Sequence, residues 1–189
     1  MTKIAILHEG VLDKKVIEGL IKHIGLDEKL IVFYPMGVKS NFFDKKHPAY
    51  ISLSLSVEND EINKVFFILD ADNCYMNQGG MIKTQEKLQV MIKSLGFESI
   101  SRFYITHDPR TEDKEGFIES LLLSTIPEEK MNCIDRFLEC TGFDKKGGDK
   151  STYERIYKSI AHPLSPYNFD HIHFNELKTQ LTQLFIESQ

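Results

Sequence analysis

The chain has 189 residues, enough for one well-buried core. Hydrophobic residues make up 41% and charged residues 27%, proportions that exclude a disordered or fibrous chain. The formal net charge of −5 argues against a surface coated in phosphate-binding side chains, although a locally basic face remains compatible with nucleic acid.

No apolar run approaches the roughly 18 uncharged residues of a membrane span. The opening Met1-Thr-Lys-Ile-Ala-Ile-Leu-His-Glu becomes charged too early for a signal peptide, so a cytoplasmic protein without membrane contact is expected. Cys74, Cys133 and Cys140 lack CxxC spacing and support neither a disulfide framework nor a zinc site; reduced thiols are expected.

Residues 3–8 form an apolar run closed by Glu9-Gly10, the pattern of a buried strand and a tight turn. Residues 12–24 place Val16, Ile17, Leu20, Ile21 and Ile24 on one helical face, and Gly25 is positioned to end that helix. A second strand, Leu30 to Tyr34, is stopped by Pro35. Between Gly37 and Asn63 the pattern is weaker: a helix is expected around Ala49–Val57, but its Ser-rich alternation also fits a strand. Val65-Phe-Phe-Ile-Leu is continuous, β-branched and aromatic, as in a central parallel strand covered on both faces, and it runs directly into Asp70-Ala71-Asp72. After a polar loop, residues 81–95 predict a helix with a stripe of Ile82, Leu88, Met91, Ile92 and Leu95, ended by Gly96. Ser101–Thr106 predicts a fourth strand. Beyond residue 116 the pattern is helical, over Phe117–Ile126, Glu129–Cys140, about Lys150–Ala161 and Phe174–Ile186, with polar connectors at 141–150 and 162–173. Strands alternating with helices predict an α/β fold with a mostly parallel four-stranded sheet, helices on both faces and a helical C-terminal extension. The expected division is an α/β domain over 1–126 and an extension over 127–189 packed on it.

In an open parallel sheet, ligands sit beyond the carboxyl ends of the strands, where acids from different strands converge. Glu9 and the Asp70/Asp72 pair each end a predicted strand. Their oxygens suit a hard cation, and Mg²⁺ typically takes one or two carboxylates, several waters and a substrate phosphate. The plain alternatives are a solvated Glu-Gly turn and aspartates that hydrogen-bond their own loop. The joint order strand-Glu-Gly-helix, then strand-Asp-x-Asp, favours a site. His8 adjoins Glu9 but points to the opposite face of a regular strand, as a packed histidine does.

Ile-Leu-His-Glu9-Gly before a helix, and Phe-Phe-Ile-Leu-Asp70-Ala-Asp72 before a loop and helix, resemble the two signature motifs of the Toprim domain. That domain is shared by topoisomerases, bacterial-type primases, OLD-family nucleases, the recombination protein RecR and the ribonuclease that matures 5S ribosomal RNA. The chain is most similar to small stand-alone Toprim proteins, related to the OLD-type nucleases, in which a segment like Gly116-Phe-Ile-Glu-Ser-Leu-Leu follows the fourth strand. The resemblance spans residues 1 to about 125 and implies a Toprim-like sheet. It implies Mg²⁺ or Mn²⁺ held by Asp70 and Asp72, with Glu9 as a further ligand or the proton-handling acid. It also places Asp13 at a fourth acid position of the OLD-type members, though Asp13 is equally placed to cap the first helix, and the cap is favoured. Glu119 aligns with a recurring acid of the stand-alone family, against the commoner explanation of an exposed helical glutamate.

The implied chemistry is metal-dependent phosphodiester cleavage, most of all nucleic-acid hydrolysis. The alternative is a non-catalytic module that binds nucleic acid or protein, as RecR-type domains do. A nucleotide-sugar transferase using DxD ranks third, because it needs a larger acceptor region. Neither a topoisomerase module with its nucleophilic tyrosine nor the accessory domains of a primase is recognisable. DNA or RNA is the expected partner, and a protein partner or a second copy is compatible with the sequence. Lys145, Lys146, Lys150 and Arg155, with Lys158, would form a phosphate-binding surface if the tail folds back toward the acids; interleaved Asp144, Asp149 and Glu154 also fit a solvated helix face. His162, His171 and His173 read as loop residues rather than metal ligands.

Overall fold

The computed structural model describes residues 2–73, 79–141 and 167–187. Four strands, β1 (Lys3–His8), β2 (Ile31–Pro35), β3 (Ile62–Asp70) and β4 (Ser101–Thr106), form one sheet in the order β2-β1-β3-β4. Every pairing is parallel. Side-chain alternation along the two central strands separates two cores. Ile4 and Ile6 of β1 with Phe66 and Ile68 of β3 enter one; Ala5 and Leu7 with Val65, Phe67 and Leu69 enter the other. Both faces are buried, which is why β3 reads as an unbroken apolar run.

Helix α1 (Val11–His23) covers the first face through Val16, Ile17, Leu20 and Ile21. Helices α2 (Pro48–Glu58) and α3 (Met81–Leu95) cover the second. Three later helices, α4 (Ile118–Leu123), α5 (Glu128–Thr141) and α6 (Asn175–Ile186), return to the first face, where Leu121, Met131, Ile134, Leu177, Leu181 and Leu184 share a core with β1 and β3. The helical extension is thus built into the same core as α1.

One open expectation is resolved and others are corrected at their edges. The Ser-rich segment is a helix, with Pro48 in its first turn, where a missing N–H costs nothing. Ile82 leaves the expected buried stripe and is 75% exposed. The stripe of α3 instead runs Thr84, Leu88, Met91 and Ile92, at the spacing of one helical face. The helix expected over Phe117–Ile126 stops at Leu123. There the hydroxyls of Ser124 and Thr125 donate to the carbonyls of Leu121 and Leu122, 2.6 and 2.8 Å away, and Pro127 follows. The expected helix over 150–161, the four basic residues Lys145, Lys146, Lys150 and Arg155, and also Cys74 and His162, lie outside the described residues.

Candidate functional site

The strand order fixes where a site can form. From β1 the chain moves outward to β2, then crosses back over β1 to β3 and continues to β4, so the direction of winding reverses between β1 and β3. Beyond the carboxyl ends of these two strands the connections diverge to opposite faces and leave a crevice. Glu9 follows β1 and Asp70 ends β3 at that point.

The two acids are joined directly: the backbone N–H of Asp70 donates to Glu9 Oε1 at 2.9 Å. Asp70 is 3% exposed, and its Oδ1 accepts from the Thr106 hydroxyl at 2.6 Å and from the Ile118 N–H at 3.0 Å. One carboxylate oxygen therefore ties the end of β3 to the end of β4 and to the start of α4. Asp72 lies past the strand in the left-handed region, φ 58°, a conformation aspartate tolerates better than most residues. Its backbone is held there by a two-way bridge to Gly116, with N···O distances of 2.8 and 3.2 Å.

Lys39 completes this edge and was not singled out from the sequence. The ladder between β1 and β2 continues past Pro35, with Met36 N–H donating to His8 O and Gly37 N–H to Glu9 O. Lys39 opens a 3₁₀ turn two residues later. Its ammonium donates to the Ala71 carbonyl at 2.8 Å and lies 3.3 Å from Asp72 Oδ2. Burial pushes the Lys39 pKa below its ordinary value, opposed by the carboxylates of Asp72, Glu9 and Asp70. Each of the four strand ends thus contributes: Lys39 after β2, Glu9 after β1, Asp70 and Asp72 from β3, Thr106 from β4. The available signal for Thr106 was position alone, at the end of a predicted strand; Lys39, in the weakly patterned stretch after Gly37, carried none.

Asp13 and Glu119 are both 5% exposed. Asp13 Oδ2 accepts from the Gly10 N–H at 2.6 Å, the reach of a first-turn acid closing the start of α1. Glu119 adjoins Ile118, whose N–H holds Asp70, and its burial corrects the picture of an exposed helical glutamate. His8 is packed edge-on against Phe33 on the opposite side of β1. Its Nδ1 sits 2.9 Å from Gly10 O, so Nδ1 carries the proton, and burial pushes its pKa down.

Among the described residues, no three His, Cys, Asp or Glu side chains are grouped closely enough to hold a metal ion as they stand. Nor does the cleft of about 840 Å³ lined by Arg110, Lys130, Asp135, His171 and His173 include Glu9, Asp70 or Asp72. Within that cleft His173 Nδ1 lies 2.9 Å from Ser124 Oγ.

Comparison with known proteins gives a family and no function. The chain belongs to the family described as "Protein of unknown function (DUF3226)", whose model matches residues 3–162. That match crosses residue 126 and takes in α5. No curated protein matches the chain, and no solved structure does. Among the described residues no helix is long and apolar enough to cross a membrane.

Proposed function

We propose that the carboxyl edge of this sheet carries Toprim-type, Mg²⁺- or Mn²⁺-dependent phosphodiester chemistry, with nucleic-acid hydrolysis in the cytoplasm as its reaction. One observation carries the reading: Glu9 and Asp70 end neighbouring strands that part at the switch point, and Glu9 reaches across to the Asp70 backbone. The order of the two motifs along the chain supports the same conclusion.

In the chemistry of their donors, though not in their present grouping, these acids suit the ion. Carboxylate oxygens are hard ligands, and Mg²⁺ needs only one or two from the protein because it retains waters. Glu9, Asp70 and Asp72 would hold it, with Asp13, engaged in the helix cap, and the buried Glu119 as further acids. Bound there, the ion supplies positive charge at the scissile phosphate and lowers the pKa of a water. The chain's own groups do the rest. Glu9, oriented through Oε1 by the Asp70 N–H, accepts the proton of the attacking water. Thr106 and the Ile118 N–H keep Asp70 from turning away. DNA or RNA is the proposed substrate.

The test is incubation of the purified protein with labelled DNA and RNA in Mg²⁺ or Mn²⁺. Cleavage by the wild type that disappears in Glu9→Gln and Asp70→Asn is expected. Cleavage that survives in both variants would sink the mechanism. One observation favours a second reading, a non-catalytic binding module: Glu9, Asp70 and Asp72 each already have a protein partner. Retarded mobility of nucleic acid, or capture of a second copy, with no product at any metal concentration would select it.

A further inference from the structure

We propose that the segment from His171 to Phe174 is an acid-sensitive wall of the cleft beside α5, held shut by an imidazole acceptor that protonation removes.

Residues 167–174 strap the chain onto α1 and α4 before α6 begins. Phe169 packs against Gly19 of α1, where a Cβ would meet its ring at 3.1 Å, and meets Phe174 edge-on. Three contacts of this strap run through histidine. His23 Nε2 lies 2.9 Å from Asp170 Oδ1, and His173 Nδ1 lies 2.9 Å from Ser124 Oγ. The His173 N–H donates to His171 Nδ1 at 3.3 Å, closing the start of a 3₁₀ turn over Ile172–Phe174.

The three respond to acid differently. A proton on His23 strengthens its contact with Asp170. The Ser124 hydroxyl donates to Leu121 O, so its oxygen accepts from His173 Nδ1–H; a further proton on His173 goes to Nε2 and leaves that bond in place. His171 must lose its contact. Its Nδ1 accepts in the neutral ring and becomes an N–H in the charged one, facing the N–H it had accepted.

The new charge would also sit beside the His173 ring, with 4.4 Å between centroids. Among the charged groups lining the same cleft, Arg110 and Lys130 oppose it and Glu128 and Asp135 favour it, while Asp170 is turned to His23. Burial and the neighbouring His173 hold the His171 pKa below the ordinary 6.5. The cap is therefore intact above pH 6.5 and is lost as pH falls through the folded pKa. Because the Asp170 contact tightens while His171 lets go, the strap opens from its His171 end. Residues 171–173 line the cleft of about 840 Å³ together with the first turn of α5, so this opening moves one of its walls.

Amide hydrogen exchange at pH 7.5 and pH 5, expressed as protection factors to remove the intrinsic pH dependence of exchange, tests this on wild type and His171→Asn. In the wild type the protection of the His173 amide should fall about fivefold, the typical worth of an N-cap acceptor, with a smaller change at Phe67 of β3. His171→Asn keeps a side-chain acceptor that does not titrate, and should hold the His173 protection constant. Unchanged protection in the wild type, or an equal fall in His171→Asn, overturns the proposal. So does a fall shared equally by Phe67, which would report loosening of the whole fold. Should His171→Asn fail to fold, His171→Ser supplies the same kind of acceptor.

Discussion

Asp70 shows how one side chain can be a joint of the fold and part of the site at once. Replacing it with alanine removes the acceptor for the Thr106 hydroxyl and the Ile118 N–H together. The Thr106 hydroxyl still has the Leu69 carbonyl 3.2 Å away, but the buried Ile118 N–H is orphaned, so Asp70→Ala should lose about 1–3 kcal/mol in urea denaturation. Asp70→Asn retains a carbonyl oxygen and should lose less than half as much, which makes it the cleaner probe of function. His8 gives a pH prediction. Its pKa in the folded chain lies below the ordinary 6.5, mainly through burial, so above pH 6.5 it is neutral folded or unfolded and its contribution is intact. As pH falls below 6.5 the unfolded chain takes a proton that the folded chain resists, and stability is lost until the folded pKa is passed. His171 is shifted the same way and adds to the slope. Melting curves between pH 7.5 and 5 should therefore fall less steeply for His8→Gln than for wild type, and equal slopes would refute the assignment. At this scale the placement of Glu9 and Asp70 at the ends of β1 and β3 was legible from position. Lys39 was not, because it lies in a stretch whose pattern is weak and only the continued β1–β2 ladder brings it to the acids.

At the scale of elements, periodicity located the strands because the sheet is covered on both faces, so that β1 and β3 carry few polar interruptions. It failed at Ser124 and Thr125, whose hydroxyls bond the backbone where α4 ends early, and at Ile82, where the first turn of α3 presents an apolar residue to solvent. The bridge between Asp72 and Gly116 joins segments 44 positions apart and had no sequence signal. Gly116 has φ +120°, and a Cβ there would lie 3.0 Å from Asp108 N and Ser120 Oγ. Gly116→Ala should destabilise by about 1–3 kcal/mol and release the backbone of Asp72, read as faster amide exchange at that residue. Wild-type exchange in this variant would show that the bridge does not hold the loop.

For the whole molecule, the consequence of one shared core is that the C-terminal helix is not a dispensable appendage. Leu181 is fully buried against the same cluster as Ile6 and Phe66. Leu181→Ala should cost about 2–5 kcal/mol, in a single cooperative transition rather than as loss of a separate unit. A biphasic transition that spares the sheet would instead mark the extension beyond residue 126 as a separate folding unit. The reversal of winding between β1 and β3 then gives the fold its crevice, and the chain places acids there. That this crevice holds a divalent ion is the central claim, and anomalous scattering from crystals grown with Mn²⁺ tests it most directly. A peak within about 2.0–2.3 Å of a carboxylate oxygen of Glu9, Asp70 or Asp72 is the predicted result. Mn²⁺ bound only elsewhere, with these carboxylates still turned to the Asp70 N–H, Thr106 and Lys39, would contradict it.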